Sequence, residues 1–164
     1  MSGNPMLVHT PFGLVPAPFP TEWIAAERKG VEVSVSGLAG SEWRQKGSVF
    51  LSNFRMVFVS ERPDTKTGLH AVELPLVYLM HVSFNQPIFG CNNMTGECKI
   101  LLSNGDEASP MRWKLSFMTG GAGTFLSLFN NYVQDPTRIF LTEQPVAESQ
   151  RLKEAPKFVM PHLL

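Results

Sequence analysis

The sequence predicts a mainly β domain of the α+β kind: a small antiparallel barrel or sandwich with one α-helix packed on it. Three observations lead there. Between residues 31 and 117, β-rich runs recur at short intervals, several alternating apolar and polar, and turn residues separate them. After residue 119 the apolar period changes from that of a strand to that of a helix. The chain has 164 residues, 43% hydrophobic and 17% charged, which suits one packed domain with an arm and a tail.

Residues 1–20 carry Pro5, Pro11, Pro16, Pro18 and Pro20 and no formally charged side chain. Proline at this density opposes helices and sheet ladders, so the segment reads as an extended arm whose Phe12, Leu14, Val15 and Phe19 are free to pack along the domain. "PTEWIAAERKG" (20–30) reads as a short helix or turn, capped by Thr21 and ended by Gly30. "VEVSVSG" alternates Val31, Val33 and Val35 with polar residues, as a half-buried strand does. "KGSVFLSNFRMVFVS" (46–60) is a hairpin turning at Ser52-Asn53, and "RPDTKTG" (62–68) is a loop. "HAVELPLVYLMHVSF" (70–84) is β-rich but interrupted by Pro75, which implies two strands or an edge.

"ECKILLS" (97–103) is a further strand and "NGDEASP" (104–110) a turn. "MRWKLSFM" places Trp113, Leu115 and Phe117 on one face and Arg112, Lys114 and Ser116 on the other. In "GTFLSLFNNYVQDP", Phe125, Leu128, Phe129 and Tyr132 form one helical stripe, ended by Asp135-Pro136. Residues 136–164 hold three further prolines after Pro136 and mixed charge, and read as an irregular tail in which "KFVMPHLL" is a candidate docking segment.

Charge narrows the function classes. Lys plus Arg equals Asp plus Glu at 14 each, which argues against a duplex-DNA binder and against purely electrostatic membrane attraction. No apolar run approaches the ~18 residues of a membrane span. The proline-broken start lacks the basic region of a signal peptide, so a reducing cytoplasmic or nuclear compartment is expected.

The motifs that carry chemistry are weak. Cys91 and Cys98 stand seven residues apart, outside the spacing of a zinc pair, and His9, His70, His81 and His162 are scattered. No metal site and no cofactor are expected. The asparagines and Gly96 between the cysteines read as turn formers. "TGGAGT" (119–124) lacks the Gly-Lys-Ser/Thr of a phosphate loop, and its glycines read as letting a helix start close against a strand. There is no G-x-S-x-G or H-E-x-x-H, and Asp occurs only at 64, 106 and 135, so no enzyme is expected. Arg44, Lys46, Arg55, Arg62 and Lys66 gather in or beside the first hairpin. They are candidates for an anion- or lipid-binding rim, with Glu42, Glu61 and Asp64 interspersed.

"KGSVFLSNFRMVFVS", "LPLVYLMHVSFNQPIFG" and "WKLSFMTGGAGTF" resemble, in order and spacing, the GRAM domain of the WW domain-binding protein 2 family. Lys46, Gly47, Val49, Leu51, Arg55, Phe58 and Ser60 match the first motif. Pro75, Tyr78, Leu79, Met80, Gln86, Pro87, Phe89 and Gly90 match the second. Thr119, Gly121 and Ala122 fit the third with the glycines rearranged. The resemblance spans about residues 22–134.

It implies a pleckstrin-homology-like fold, a seven-stranded bent barrel capped by a C-terminal helix, with Gly47, Tyr78, Gln86, Pro87, Phe89 and Gly90 as structural motif residues. The implied organisation is an arm (1–20), the domain (21–135) and a tail (136–164). Both cysteines lie outside the shared pattern and read as local and structural. The implied function is a non-catalytic adaptor that binds protein partners, with a transcription coactivator role in the nucleus. The family's WW-domain contacts use P-P-x-Y motifs; this chain contains none, so WW binding is not carried over. GRAM domains in general resemble phosphoinositide binders, and the alternative reading is a membrane-recruitment module that grips headgroups through the Arg44–Lys66 cluster.

Overall fold

The computed structural model describes residues 2–38, 41–101, 104–105 and 107–133. Among the described residues, ten strands and one α-helix follow in chain order. They are β1 (Ser2–Gly3), β2 (Leu7–Thr10), β3 (Gly13–Pro16), β4 (Ile24–Leu38), β5 (Ser41–Ser52), β6 (Arg55–Ser60), β7 (Ala71–Pro75), β8 (Leu79–Asn85), β9 (Asn93–Leu101), β10 (Glu107–Phe117) and α1 (Ala122–Val133). A 3-10 turn over Leu76–Tyr78 joins β7 to β8, where Pro75 interrupts the ladder.

All but β2 and β3 form one sheet in the order β1-β7-β6-β5-β4-β10-β9-β8. Every pairing is antiparallel. Without the two-residue β1, the sheet is a meander of β4 to β7 and a meander of β8 to β10, joined where β4 pairs with β10. Seven strands so arranged and followed by a helix are consistent with a pleckstrin-homology-like fold. The barrel is bent and open: β7 and β8 lie toward opposite edges, and among the described residues no ladder joins them.

The bend lies in β4. Residues 31–35 pair with both β5 and β10, whereas Ile24–Arg28 pair with β5 alone. A register shift separates Arg28 from Val31, and Gly30 there has φ +64°. A Cβ on Gly30 would lie 2.5 Å from Thr119 Cγ2, so this position combines a left-handed backbone with close packing.

The core follows the alternation. Val31, Val33 and Val35 of β4 face Trp113, Leu115 and Phe117 of β10, with Val49, Leu51, Met56, Phe58, Val72, Leu74 and Met94 around them. The helix closes it: Phe125 and Phe129 are buried, Leu128 and Tyr132 half-buried, and the Phe125 ring lies 5.4 Å from that of Phe117. Burying each phenylalanine contributes about 1.5–3 kcal/mol, enough to dock a helix this short. The expected helix end at Asp135-Pro136 and the tail lie outside the described residues.

Three local expectations are corrected. The proline-rich segment does form a ladder: β2 and β3 pair from Leu7↔Pro16 to Thr10↔Gly13. Pro16 occupies the hairpin's end, and the other prolines of the arm fall outside the strands. The hairpin's Leu7, Leu14 and Val15 cover a second apolar cluster of Phe50, Val57, Val59 and Ala71 on the back of the sheet. This covering explains why every residue of β6 is buried. It also stabilises a two-stranded hairpin that would be marginal alone. Phe12, at its tip, stays 77% exposed.

Residues 24–30 are strand rather than helix, because the ladder with β5 (Ile24↔Ser52 through Arg28↔Val49) overrides local propensity. Asn93 and Gly96 lie within β9, not in a turn. Gly96 stands opposite Trp113, whose indole occupies the space a Cβ would need, 2.7 Å away.

Candidate interaction surface

Arg55 is positioned by the β5–β6 turn. Ser52 Oγ accepts from the Phe54 and Arg55 backbone N–H groups, and the guanidinium points into the fold. It donates to both carboxylate oxygens of Glu22, Nε to Oε1 at 2.8 Å and Nη2 to Oε2 at 3.0 Å. Nη2 also donates to the Ala17 carbonyl at 2.7 Å, and Nη1 lies 3.5 Å from Glu73 Oε1. The Phe19 ring lies 4.0 Å from the guanidinium carbon. The Ser52 hydroxyl completes the group by donating to Glu22 Oε1 at 2.6 Å. The Arg55 side chain is only 2% exposed and Glu22 is fully buried. Arg55 therefore stands apart from the exposed basic residues: it clamps residues 17–22 to the β5–β6 turn and to β7. An arginine in an otherwise apolar strand was the sequence signal for such a partner; the identity of Glu22 and Glu73 needed the fold.

The other cations of the predicted rim lie outside the core. Arg44 and Lys46 share the outer face of β5. Arg44 lies 2.9 Å from Glu42, whose carboxyl it holds below the usual range. Lys46 stands opposite Glu32 on one side, and on the other its carbonyl accepts the Glu61 N–H at 2.9 Å. Arg62 follows Glu61, so Arg44, Lys46 and Arg62 come to one edge with acids between them. Lys66 lies in the 61–70 loop. There Asp64 accepts from Thr67 Oγ1 at 2.7 Å and from the Lys66 N–H at 3.0 Å, which hold its carboxyl below the usual aspartate range.

The motif residues divide. Gly47 is buried, and a Cβ on it would lie 2.0 Å from the Val59 carbonyl oxygen. Tyr78 packs against the core from the 3-10 turn. Gln86, Pro87, Phe89 and Gly90 form the β8–β9 loop, all exposed, and with Ile88 they make its tip. The two cysteines are free and differently placed. Cys98 is buried in β9, and burial pushes its thiol up. Cys91 is half-buried, with its sulfur 3.5 Å from Met118 Sδ. Among the described residues, no group of three or more His, Cys, Asp or Glu side chains could hold a metal ion.

A separate aromatic platform joins the start of β4 to α1. Trp23 Nε1 donates to Tyr132 Oη at 3.0 Å, and the rings meet edge to face at 6.3 Å. Trp23 is 48% exposed, and Val133 beside Tyr132 is 44% exposed. Exposed aromatic residues of this kind are enriched where proteins meet proteins. Sequence reading misses Trp23, because a helix or turn over 20–30 gives its indole no link to a residue 109 positions away.

No protein-family model matches the chain. WW domain-binding protein 2 from Homo sapiens is 32% identical over 81 residues, 49% of this chain and 30% of that protein. The proteins of the same name from Rattus norvegicus and Mus musculus match equally, at 32% over 81 residues, covering 29% and 30% of their lengths. The chain thus aligns with less than a third of each of these relatives. Over about half its length, it is homologous to WW domain-binding protein 2.

Proposed function

We propose that this chain is a non-catalytic adaptor domain of the GRAM type, which binds protein partners and acts in a transcription coactivator assembly in the nucleus or cytoplasm. The homology to a protein named for binding another domain is the observation that supports this reading most. The Trp23–Tyr132–Val133 platform supplies a surface suited to it. Affinity capture with the intact chain and with Trp23→Ala tests the proposal. A reproducible protein retained by the wild type and lost by the variant is the expected result. If the folded wild type retains no protein above background, the adaptor reading fails. Headgroup binding through Arg44, Lys46, Arg62 and Lys66 has less support, because Glu32, Glu42, Glu61 and Asp64 are interspersed among these cations.

A further inference from the structure

In two places of the chain a hydroxyl residue precedes proline, Thr10-Pro11 and Ser109-Pro110. The fold treats them oppositely. Thr10 lies at the β2–β3 turn, where its hydroxyl donates to the Gly13 carbonyl at 2.8 Å and accepts the Phe12 N–H at 3.2 Å. Among the described residues, no hydrogen bond engages the Ser109 hydroxyl, and Ser109 and Pro110 are both exposed.

The backbone around Ser109 is extended but paired on one side. Glu107↔Leu101 and Ala108↔Ile100 precede a register shift, and Met111↔Cys98 follows it. Ser109 and Pro110 therefore both oppose Lys99, a bulge of two residues against one. Proline suits this place because it has no N–H to give a ladder. Strand β4 joins β10 only from Arg112↔Ser36 onward, so residues 107–110 pair with β9 alone.

Cations flank the bulge. Cys98 and Met111 are buried, so the adjoining Lys99 and Arg112 project from the outer face. Lys99 Nζ lies 3.3 Å from Glu107 Oε1, and Arg112 Nε lies 3.9 Å from Glu97 Oε1, the longest ion pair among the described residues. The Arg112 side chain is 81% exposed.

We propose that Ser109 is a phosphate-acceptor site for a proline-directed serine/threonine kinase, with Lys99 and Arg112 flanking the phosphate. Ser109 Oγ attacks the γ-phosphorus of ATP, the bond to the β-phosphate oxygen breaks, ADP leaves, and the hydroxyl proton passes to the kinase's catalytic carboxylate. A kinase cleft with no acceptor for the following N–H selects proline there, because any other residue would bury an unpaired donor. Arg112, two residues beyond Pro110, supplies a cation for an acidic group beside such a cleft. The modification brings a charge of about −1.5 to −2 to a formally neutral chain, and the new dianion competes with Glu107 for Lys99. The site stands independently of the adaptor reading.

Incubation of the full chain with ATP and a cyclin-dependent kinase tests it, read by intact mass and by fragmentation of the phosphopeptide. The wild type should gain one phosphoryl group, on Ser109. Ser109→Ala should lose it and Thr10→Ala should keep it. Pro110→Ala and Arg112→Gln, each with an unchanged melting temperature, should lower the rate of transfer about fivefold or more. Phosphorus NMR of the modified protein reads the neighbours: Lys99→Gln should raise the pH of the phosphate's second ionisation and Glu107→Gln should lower it. Arg112 acts in the sense of Lys99 and Glu97 in that of Glu107, while Ser36 and Gly37 of β4 bring no charge. A wild type that takes up no phosphate, or phosphate mapped to another residue in place of Ser109, would overturn the proposal. An ionisation that Lys99→Gln leaves unmoved would overturn the flanking role. The assay contains no binding partner, so its failure leaves the adaptor reading untouched.

Discussion

Replacing Arg55 with methionine removes a buried cation and leaves most of its aliphatic volume in place. The change deletes three hydrogen bonds, two to Glu22 and one to the Ala17 carbonyl, together with the 3.5 Å approach to Glu73 and the stacking on Phe19. Charge-assisted bonds contribute about 1.5–3 kcal/mol each, but their sum overstates the loss. Glu22 would keep the Ser52 hydroxyl and the Phe19 N–H, both within 2.8 Å. Breaking a buried ion pair from one side costs about 3–5 kcal/mol, because the surviving carboxylate is left without its counter-charge, and that range governs here. At roughly 2–4 °C per kcal/mol for a chain of this size, melting should fall by about 6–20 °C. Urea unfolding followed by tryptophan fluorescence measures the loss directly, with the m-value as a check on the denatured state. Glu22→Gln combined with Arg55→Met should be less damaging than the two single changes added together, since it removes both charges. A single-variant loss below about 1 kcal/mol, or full additivity in the double variant, would refute the clamp.

Further outcomes follow from the same geometry. Gly47→Ala forces a methyl onto the Val59 carbonyl and Ser60 Cα, both backbone, and should cost at least about 1–3 kcal/mol in denaturant unfolding. Phe125→Ala empties the fully buried contact between helix and barrel and should cost about 3–5 kcal/mol, measured the same way. Ellman's reagent should titrate Cys91 in the native protein and Cys98 only after unfolding. Because burial raises the Cys98 thiol, its stabilising contribution is present below the ordinary thiol range and lost as pH rises through its folded value. Alkaline pH should therefore destabilise the wild type more than Cys98→Ala. Thr67→Val removes the leading cause of the lowered Asp64 carboxyl, so its titration midpoint, followed by NMR, should rise toward that of an ordinary aspartate.

Where the burial pattern is local, the sequence by itself determined the structure. Val31-Val33-Val35 and Trp113-Leu115-Phe117 alternate because one face of each strand meets the core, and the Phe125–Phe129 stripe repeats because one side of the helix does. Pro75 and Ser52-Asn53 broke the chain where the backbone had to turn. The same periodicity could not reveal the β2–β3 hairpin or the strand at 24–30. Their ladders depend on partners that tertiary packing supplies, and β6 reads as apolar on both faces because that hairpin covers its back.

The candidate sites divide by the same reasoning. Arg44, Lys46 and Arg62 were legible as neighbours because short-range strand pairing keeps them close. Arg55 looked like one of them, and only the arrival of Glu22 from 33 residues away showed that its charge is neutralised inside the fold. Gln86–Gly90 was legible as a motif, but not its exposure or its company. Cys91 and Asn92 at that loop's end meet Met118 and Phe117, while Thr119 and Gly121 meet Lys29 and Arg28, so tertiary structure alone brought these segments, remote in sequence, to one end of the barrel.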